Sequence, residues 1–527
     1  MEDLDALYDF WFNNDEVWFN SSKENDCKIT SLFYDLYINY EDVECNTILT
    51  KKNKIAFILL NDQIVRHIFR DDEKIQYHLT KIIPFVESVY NEFKNDLNPN
   101  EFSFVLLPLR HTKLFDKIKF VINETWKKIM DTNGENVQYK RFLTATYERY
   151  IRDSNDFNNL QLLFDGSSGE YGKMINYDKY VDILDENVSI GPIINSKINV
   201  DHDINKDLCY VLSLSGGVDS MVTSLMLKQQ DINFCAVHIN YANRHECSNE
   251  VDMITEWCKI LRIKLYVRTI NEINRPLCMK YKMREIYETY TRDIRFKTYC
   301  NAYIDSFGES SKINIILGHN RDDCFENILT NISSNSHYDN LRGMDHETTL
   351  LFTKFITPKH LIFFRPLLNV NKAEIYNFAK SNNVPYFVDS TPKWSQRGKI
   401  RDIVKPCLTS WNSCMTDAFF KLSDNLSMHN RFMNSMCDMF VNNIKINGQM
   451  TVNITDEIMD KIVWKMIFNK LGINITDKTL AVFYERLLWI KRNFPKIEIN
   501  KINKHVMNGT TIIKWKKNSS ATFQLLF

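Results

Sequence analysis

No stretch of apolar residues in this 527-residue chain approaches the ~18 that a membrane span requires, so no contact with a bilayer interior is expected. No two of the twelve cysteines stand at C-x-x-C spacing. That removes the common signature of a zinc ribbon or an iron–sulfur site and leaves reduced, mostly buried thiols as the plain reading. The start, Met1-Glu2-Asp3-Leu4-Asp5, lacks the basic n-region of a secretory signal and the Arg-rich face of a transit peptide, and a cytoplasmic location is the expectation. Net charge is also absent, 66 Lys and Arg against 66 Asp and Glu. The balance hides an asymmetry of roughly −6 over residues 1–150 against about +7 over residues 411–527, so any polyanion is expected to meet the C-terminal part. What remains is an ordinary globular composition, 44% hydrophobic and 25% charged, at a length that implies two to four domains.

The most informative stretch is Ser215-Gly216-Gly217-Val218-Asp219-Ser220, between an apolar strand, Tyr210-Val211-Leu212-Ser213-Leu214, and an expected helix. Two glycines let the backbone approach an anion, and the free N–H groups of a helix start, at the positive end of its dipole, point toward it. Ser215 and Ser220 add hydroxyl donors. Asp219 sits where a carboxylate would repel phosphate unless a cation lay between them, which makes it a candidate Mg²⁺ ligand. A Walker loop is excluded because the Gly-Lys-Ser/Thr slot reads Val-Asp-Ser, and no G-x-G-x-x-G occurs here. The hexapeptide resembles the PP-loop of the ATP pyrophosphatase superfamily, which implies ATP cleavage between the α- and β-phosphates and adenylation of a substrate.

From Leu208 onward, short apolar strands at Val211–Leu214, Phe234–Ile239, Lys264–Ile270, Ile313–Leu317 and Leu361–Phe364 alternate with helical stretches. Alternation of that kind predicts right-handed βαβ units and a parallel sheet covered on both faces, with ligands beyond the carboxyl ends of the strands. After the fourth strand comes Gly318-His319-Asn320-Arg321-Asp322-Asp323-Cys324-Phe325-Glu326-Asn327. A helix starting near Asp322 puts Phe325, Ile328, Leu329 and Ile332 on a sheet-facing stripe and Asp323 and Glu326 on another face, toward the cleft. The second strand ends in Val237-His238-Ile239-Asn240-Tyr241-Ala242-Asn243-Arg244, and Arg292 and Arg295 lie three apart on a later helix, able to pair with phosphate or with those carboxylates.

The succession of these segments, continued by Arg365-Pro366-Leu367-Leu368 and by Asp389 through Arg397 to Arg401, resembles tRNA(Ile)-lysidine synthetase over residues 206–410. Residues 450–526 continue the likeness with a helical pair, Ile458–Gly472 and Thr479–Trp489, and a strand-like tail holding Asn508-Gly509 and Lys514-Trp515-Lys516-Lys517, similar to that family's tRNA-contacting region. The resemblance implies that Ser215, Gly216, Gly217, Asp219 and Ser220 bind ATP and Mg²⁺. It makes His319, Asp323 and Glu326, with Asp219, the catalytic cluster. It also implies that Asp323 and Glu326 hold the ammonium of L-lysine or another small amine beside Arg295, and that Arg397 and Arg401 meet tRNA. Where Tyr241 and Asn320 stand the family has His, where Pro392 and Gly398 stand it has Asn, and where Asn327 stands it has Thr. These departures bear on substrate identity, since the nucleotide loop is intact. The rivals are a PP-loop tRNA thiolation enzyme, which commonly carries C-x-x-C pairs, and a non-catalytic nucleotide-binding scaffold, against which the retained acids argue.

Residues 1–160 read as all-helical, with apolar positions at helical spacing through Phe57–Ile68 and Phe115–Ile122. The words Phe10-Trp11-Phe12, Leu59 to Arg70 and Leu107-Pro108-Leu109-Arg110-His111-Thr112 resemble an uncharacterised family of small TPR-like helical proteins, departing at Ile64-Val65 and Thr112-Lys113. That likeness implies a fold, no chemistry, and room for a protein partner. Gly and Pro punctuation around residues 161–205, including Gly191, marks a linker. The expected architecture is therefore an all-α N-terminal domain (1–160), a linker (161–205), a Rossmann-like α/β PP-loop domain of the adenine nucleotide alpha hydrolase type (206–410) and a small mixed C-terminal domain (411–527).

Overall fold

The computed structural model describes residues 2–18, 22–41, 43–70, 72–153, 160–169, 171, 173, 175–180, 184–185, 192–200, 204–243, 247–334, 341, 343–355, 357–388, 396–453, 460–473, 475–506, 512–520 and 522–526. Gly191, Arg244, the Asp389–Ser395 stretch with Pro392, and Asn508-Gly509 lie outside the described residues. The chain divides into two compact bodies, residues 1–321 with 345–390 and residues 322–344 with 391–527.

The first body opens with helices α1 (Glu2–Asn13), α2 (Lys23–Tyr40), α3 (Lys51–Leu59), α4 (Val65–Ile68), α5 (Asp72–Phe93), α6 (Pro99–His111), α7 (Phe115–Asp131) and α8 (Val137–Asp153). Helix α6 begins with a complete capping box, in which Asn98 accepts from the Glu101 amide and Glu101 reaches back to the Asn98 amide, two orphan donors satisfied at once. Between α3 and α4 the chain widens into one π turn, Leu60–Ile64, every residue of which is buried.

A seven-stranded sheet follows: β1 (Leu160–Phe164), β2 (Cys209–Ser213), β3 (Asn233–Asn240), β4 (Leu265–Thr269), β5 (Lys312–Ile316), β6 (Glu347–Phe352) and β7 (Lys359–Phe364), in the order β1-β4-β3-β2-β5-β7-β6. The five inner strands, β4-β3-β2-β5-β7, are parallel, as the alternating pattern predicts. The two edges are antiparallel, β1 on β4 and β6 on β7, so the sheet is mixed rather than wholly parallel, and the start of the stretch expected as a linker supplies an edge strand. Helices α9 (Val218–Gln229), α10 (Cys247–Leu261) and α14 (Lys372–Ser381) cover one face with Leu212, Met221, Leu225, Trp257 and Phe378 in the core. Helix α12 (Arg284–Phe307), preceded by α11 (Arg275–Lys280), covers the other through Tyr299, Cys300 and Ala302.

The N-terminal helices are not tethered at a distance from this sheet. Their core runs without a break into Ile273, Cys278, Tyr281, Met283, Tyr290 and Ile294 of the α11–α12 segment. Polar ties reinforce the join: Tyr147 donates to the Glu272 carbonyl at 2.9 Å, and the buried Lys297 ammonium donates to the Ile151 carbonyl at 2.8 Å.

The second body holds α13 (Arg321–Ser333, from Asp322 onward), α15 (Gln396–Lys399), a π turn at Ile400–Val404, α16 (Lys405–Trp411), the 33-residue α17 (Met415–Asn447), α18 (Lys461–Lys470) and α19 (Asp477–Asn493). Its antiparallel sheet orders β8 (Gln449–Asn453), β11 (Thr522–Leu526), β10 (Ile512–Lys517) and β9 (Ile502–Val506) as β8-β11-β10-β9. The helical pair α18 and α19 and the strand-like tail match expectation. Helix α13 differs in its stripe: Phe325 and Ile328 are buried but Ile332 is 45% exposed, and Phe325 packs on Phe419 and Phe420 of α17, so the stripe serves a helix–helix contact.

Candidate nucleotide and substrate sites

Strand β2 lies between β3 and β5, and the chain winds one way through β3 and β4 before returning to the other side of β2 at β5. The carboxyl ends of β2 and β5 therefore flank the switch point of the sheet, where open α/β folds bind ligands. The segments singled out after β2 and β5, Ser215–Ser220 and Gly318–Asn320, meet at this point. Gly318 has no Cβ, and one placed there would stand 2.9 Å from the Ser220 amide nitrogen, so only glycine lets the end of β5 approach the start of α9 this closely.

Within the loop, Gly216 adopts φ +83°, a left-handed conformation natural to glycine, and Gly217 caps α9 with extended backbone and no side-chain hydrogen bond to the helix amides. The first-turn N–H groups of α9 thus lack a side-chain cap, the condition for anion binding at a helix start. The two serine hydroxyls hold the turn's shape: Ser215 and Ser220 Oγ are 3.0 Å apart, the Ser215 amide donates to Ser220 Oγ at 3.1 Å, and Ser220 Oγ donates to the Gly217 carbonyl at 3.0 Å. Phe387 closes the far side, its amide donating to the Gly216 carbonyl at 3.1 Å and its ring standing where a Cβ on residue 216 would go.

The expected metal ligand is engaged by two groups that sequence reasoning did not assign to it. Lys372, on the first turn of α14, places Nζ 2.6 and 2.8 Å from the two Asp219 oxygens, and Asn320 Nδ2 donates to Asp219 Oδ1 at 2.8 Å. Asn320 is one of the family departures, so the amide there gains a defined partner. Lys372 is separated from Asp219 by 153 residues and could have been found only by pairing α14 with α9 in advance. Among the described residues no group of three or more His, Cys, Asp or Glu side chains could hold a metal ion. A lone carboxylate beside phosphate oxygens nevertheless fits Mg²⁺, which binds through one or two carboxylates, substrate phosphates and water.

His238, buried on β3, donates from Nδ1 to the Leu214 carbonyl at 2.9 Å and so fixes the exit of β2 into the loop. Burial lowers its basicity and keeps the ring neutral. His319 Nδ1 accepts from Arg365 Nε at 3.3 Å, linking the segment after β5 to the Arg-Pro-Leu-Leu segment after β7. The two arginines of α12 part company. Arg292 is exposed beside Asp293, whereas Arg295 is hydrogen-bonded to Tyr241. Burial disfavours the Arg295 charge, but Tyr299 and Tyr241 outweigh it and hold the guanidinium above its usual value.

In the second body, Glu326 is 2% exposed and accepts from Arg401 Nε and Nη2 at 2.9 and 2.7 Å. Burial raises its carboxyl above the ordinary range against the opposing pull of Arg401, with Asp323 adding to the rise and Arg397 opposing it. The sequence-expected residues Asp323, Glu326, Arg397 and Arg401 thus form one electrostatic cluster on α13, α15 and the adjoining π turn. Asp322 is paired with Lys405 at 2.8 Å. The basic tail sorts by strand alternation: Lys514 is exposed and Lys516 half-exposed, whereas Trp515 and Lys517 face the core, Lys517 donating to the Phe494 carbonyl at 2.9 Å.

Residues 192–408 match the PP-loop domain family ATP_bind_3, which accounts for the strand, turn and helix around Gly216. Over this domain the chain is similar to the tRNA(Ile)-lysidine synthases. Residues 7–154 match a family described as a bacterial protein of unknown function, DUF924. Among curated relatives, the tRNA(Ile)-lysidine synthase of Mycoplasma mycoides subsp. mycoides SC is 27% identical over 319 residues, 56% of this chain and 71% of that protein. The tRNA(Ile)-lysidine synthase of Malacoplasma penetrans is 24% identical over 312 residues, 59% of this chain and 94% of that protein. Among solved structures, the U34-tRNA thiolase NcsA of Methanococcus maripaludis is 17% identical, with 43% of this chain and 74% of that chain covered and a TM-score of 0.33. Among the described residues no helix is long and apolar enough to cross a membrane.

Proposed function

We propose that this protein is an ATP-dependent tRNA-modifying ligase that adenylates a cytidine and couples an amine, lysine, to it. The observation that carries the reading is the β2–α9 turn at the switch point of the sheet, with left-handed Gly216 and an uncapped helix start, in a domain whose curated relatives are named tRNA(Ile)-lysidine synthase. Amides at the start of α9 and the Ser215 and Ser220 hydroxyls bind the triphosphate. Asp219 is the side chain that would hold Mg²⁺, which when bound supplies neutralisation of phosphate charge. For this, Lys372 must release at least one Asp219 oxygen, and its ammonium is then available to the phosphates.

In the proposed reaction the cytidine C2 oxygen attacks the α-phosphorus and pyrophosphate leaves; the lysine ε-amine then attacks C2 and AMP departs with that oxygen. Catalysis rests on positioning and on stabilising developing negative charge. His319 is assigned to the adenylation step, Arg295 to substrate binding, Asp323 and Glu326 to the lysine ammonium, and Arg397 and Arg401 to the tRNA backbone. The Glu326–Arg401 pair means that ammonium and RNA binding compete for the same two side chains, so their exchange of partners is part of the proposal. Lys514 and Lys516 supply the exposed charge of the C-terminal RNA surface. The test is pyrophosphate release from ATP with and without tRNA: a tRNA-dependent burst abolished by Asp219→Ala is expected, and a wild-type rate in that variant refutes the assignment.

A further inference from the structure

We propose that the N-terminal helical domain carries a second ligand site, for a small molecule that joins a flat aromatic body to an anionic group. Helices α1, α6 and α8, with the Asp15–Trp18 segment, line a half-open cavity of about 870 Å³, within the range of small-molecule sites. One wall is aromatic: Phe12, Trp18 and Phe104 meet edge to face, with centroids 4.9 to 6.3 Å apart. The lining also carries Arg110 and Arg141, with Asp15 its one acid. Arg110 is 8% exposed and holds its guanidinium 5.4 Å from the centre of the Phe142 ring. A positive cavity in a segment that is roughly −6 overall runs against the local charge and selects an anion.

Two of the three words that set this segment apart in the sequence reach the cavity. Phe10-Trp11-Phe12 gives Phe12, and Leu107-Pro108-Leu109-Arg110-His111 gives Leu107 and Arg110. The third word forms the π turn, a device frequent at functional sites. Its buried Asp62 accepts from His111 Nδ1 at 2.8 Å and from Arg66 at 3.1 Å, which fixes the end of α6 and thereby the aim of Arg110. Burial pushes the Asp62 carboxyl up, but His111 and Arg66 hold it below the usual carboxylate range, so the anchor is ionised.

A nucleoside monophosphate or an aromatic carboxylate would satisfy this chemistry. The test titrates the full-length protein calorimetrically with AMP and with indole-3-acetate, the PP-loop being saturated with α,β-methylene-ATP. Either probe binding one to one supports the site and names its source. Adenosine and indole-3-methanol should bind at least tenfold more weakly. Arg141→Glu, on an exposed position that leaves the core intact, should weaken binding at least tenfold, and Ser103→Trp should fill the cavity and abolish it. Failure of both probes at millimolar concentration, equal binding of the neutral analogues, or an Arg141→Glu effect within twofold overturns the proposal.

Discussion

Replacing Gly216 by Ala tests whether the turn between β2 and α9 is shaped as described, and its cost can be worked from two separate terms. At φ +83° an L-residue carries a left-handed backbone penalty of about 1–2 kcal/mol. The new Cβ would stand 2.1 Å from Phe387 Cε2, and Phe387 is 8% exposed with its amide tied to the Gly216 carbonyl, so the ring cannot swing away freely. Overpacking of this kind costs ~1–3 kcal/mol, for a total of about 2–5 kcal/mol by summing the two. In a Phe387→Ala background only the backbone term survives, giving a coupling of ~1–3 kcal/mol between the two positions. Because a chain of two compact bodies need not unfold in one transition, the assay is native-state hydrogen exchange of the amides spanning β2 and α9. Equal costs of Gly216→Ala in both backgrounds, within ~0.5 kcal/mol, would refute the ring as the wall of the loop.

Lys372→Met removes the cation that competes for Asp219. Since both side chains are 22% exposed, the pair is worth ~0.2–1 kcal/mol, and half-saturating Mg²⁺ for pyrophosphate release should fall a few-fold; an unchanged titration would mean that Lys372 does not compete. Glu326 has its folded carboxyl raised above the ordinary 4.5, so the folded state holds a proton that the unfolded state has released, and this group's contribution to stability falls as pH rises from below 4.5 through the raised value. Glu326→Gln should flatten that part of the stability–pH curve, and an unaltered curve contradicts the burial argument. Replacing Lys514 and Lys516 together by Ala should lower the log–log salt slope of tRNA binding by roughly two. Lys517→Ala should leave the slope alone and speed native-state hydrogen exchange of the β10 and β11 amides, because it strips a donor from a buried carbonyl, and the reverse pattern would sink the strand assignment.

The inner strands were legible because each is an apolar run bounded by turn residues, and parallel strands buried on both faces read that way. Strands β1 and β6 were not, because Leu160–Phe164 and Glu347–Phe352 each bury only their last residue and make sense only once the neighbouring strand is in place. The shape of the turn after β2 was readable from six consecutive residues, since the glycines that set it stand within them. Its surroundings were not: Lys372 and Phe387 reach it from more than 150 residues away, and no local periodicity announces either. The basic tail shows the opposite failure, where a run of like residues hides a strict alternation and one lysine of three belongs to the core. Glu326 and Arg401 were each singled out, but their mutual pairing depends on the fold of the second body.

The central claim is that the turn after β2 activates a tRNA base for attack by lysine. Its most direct test is mass spectrometry of nucleosides from tRNA incubated with the protein, ATP and isotope-labelled lysine. The account predicts a cytidine derivative carrying the label, absent with Asp219→Ala. Unlabelled tRNA alongside full ATP turnover, or a sulfur-containing nucleoside in its place, would contradict it.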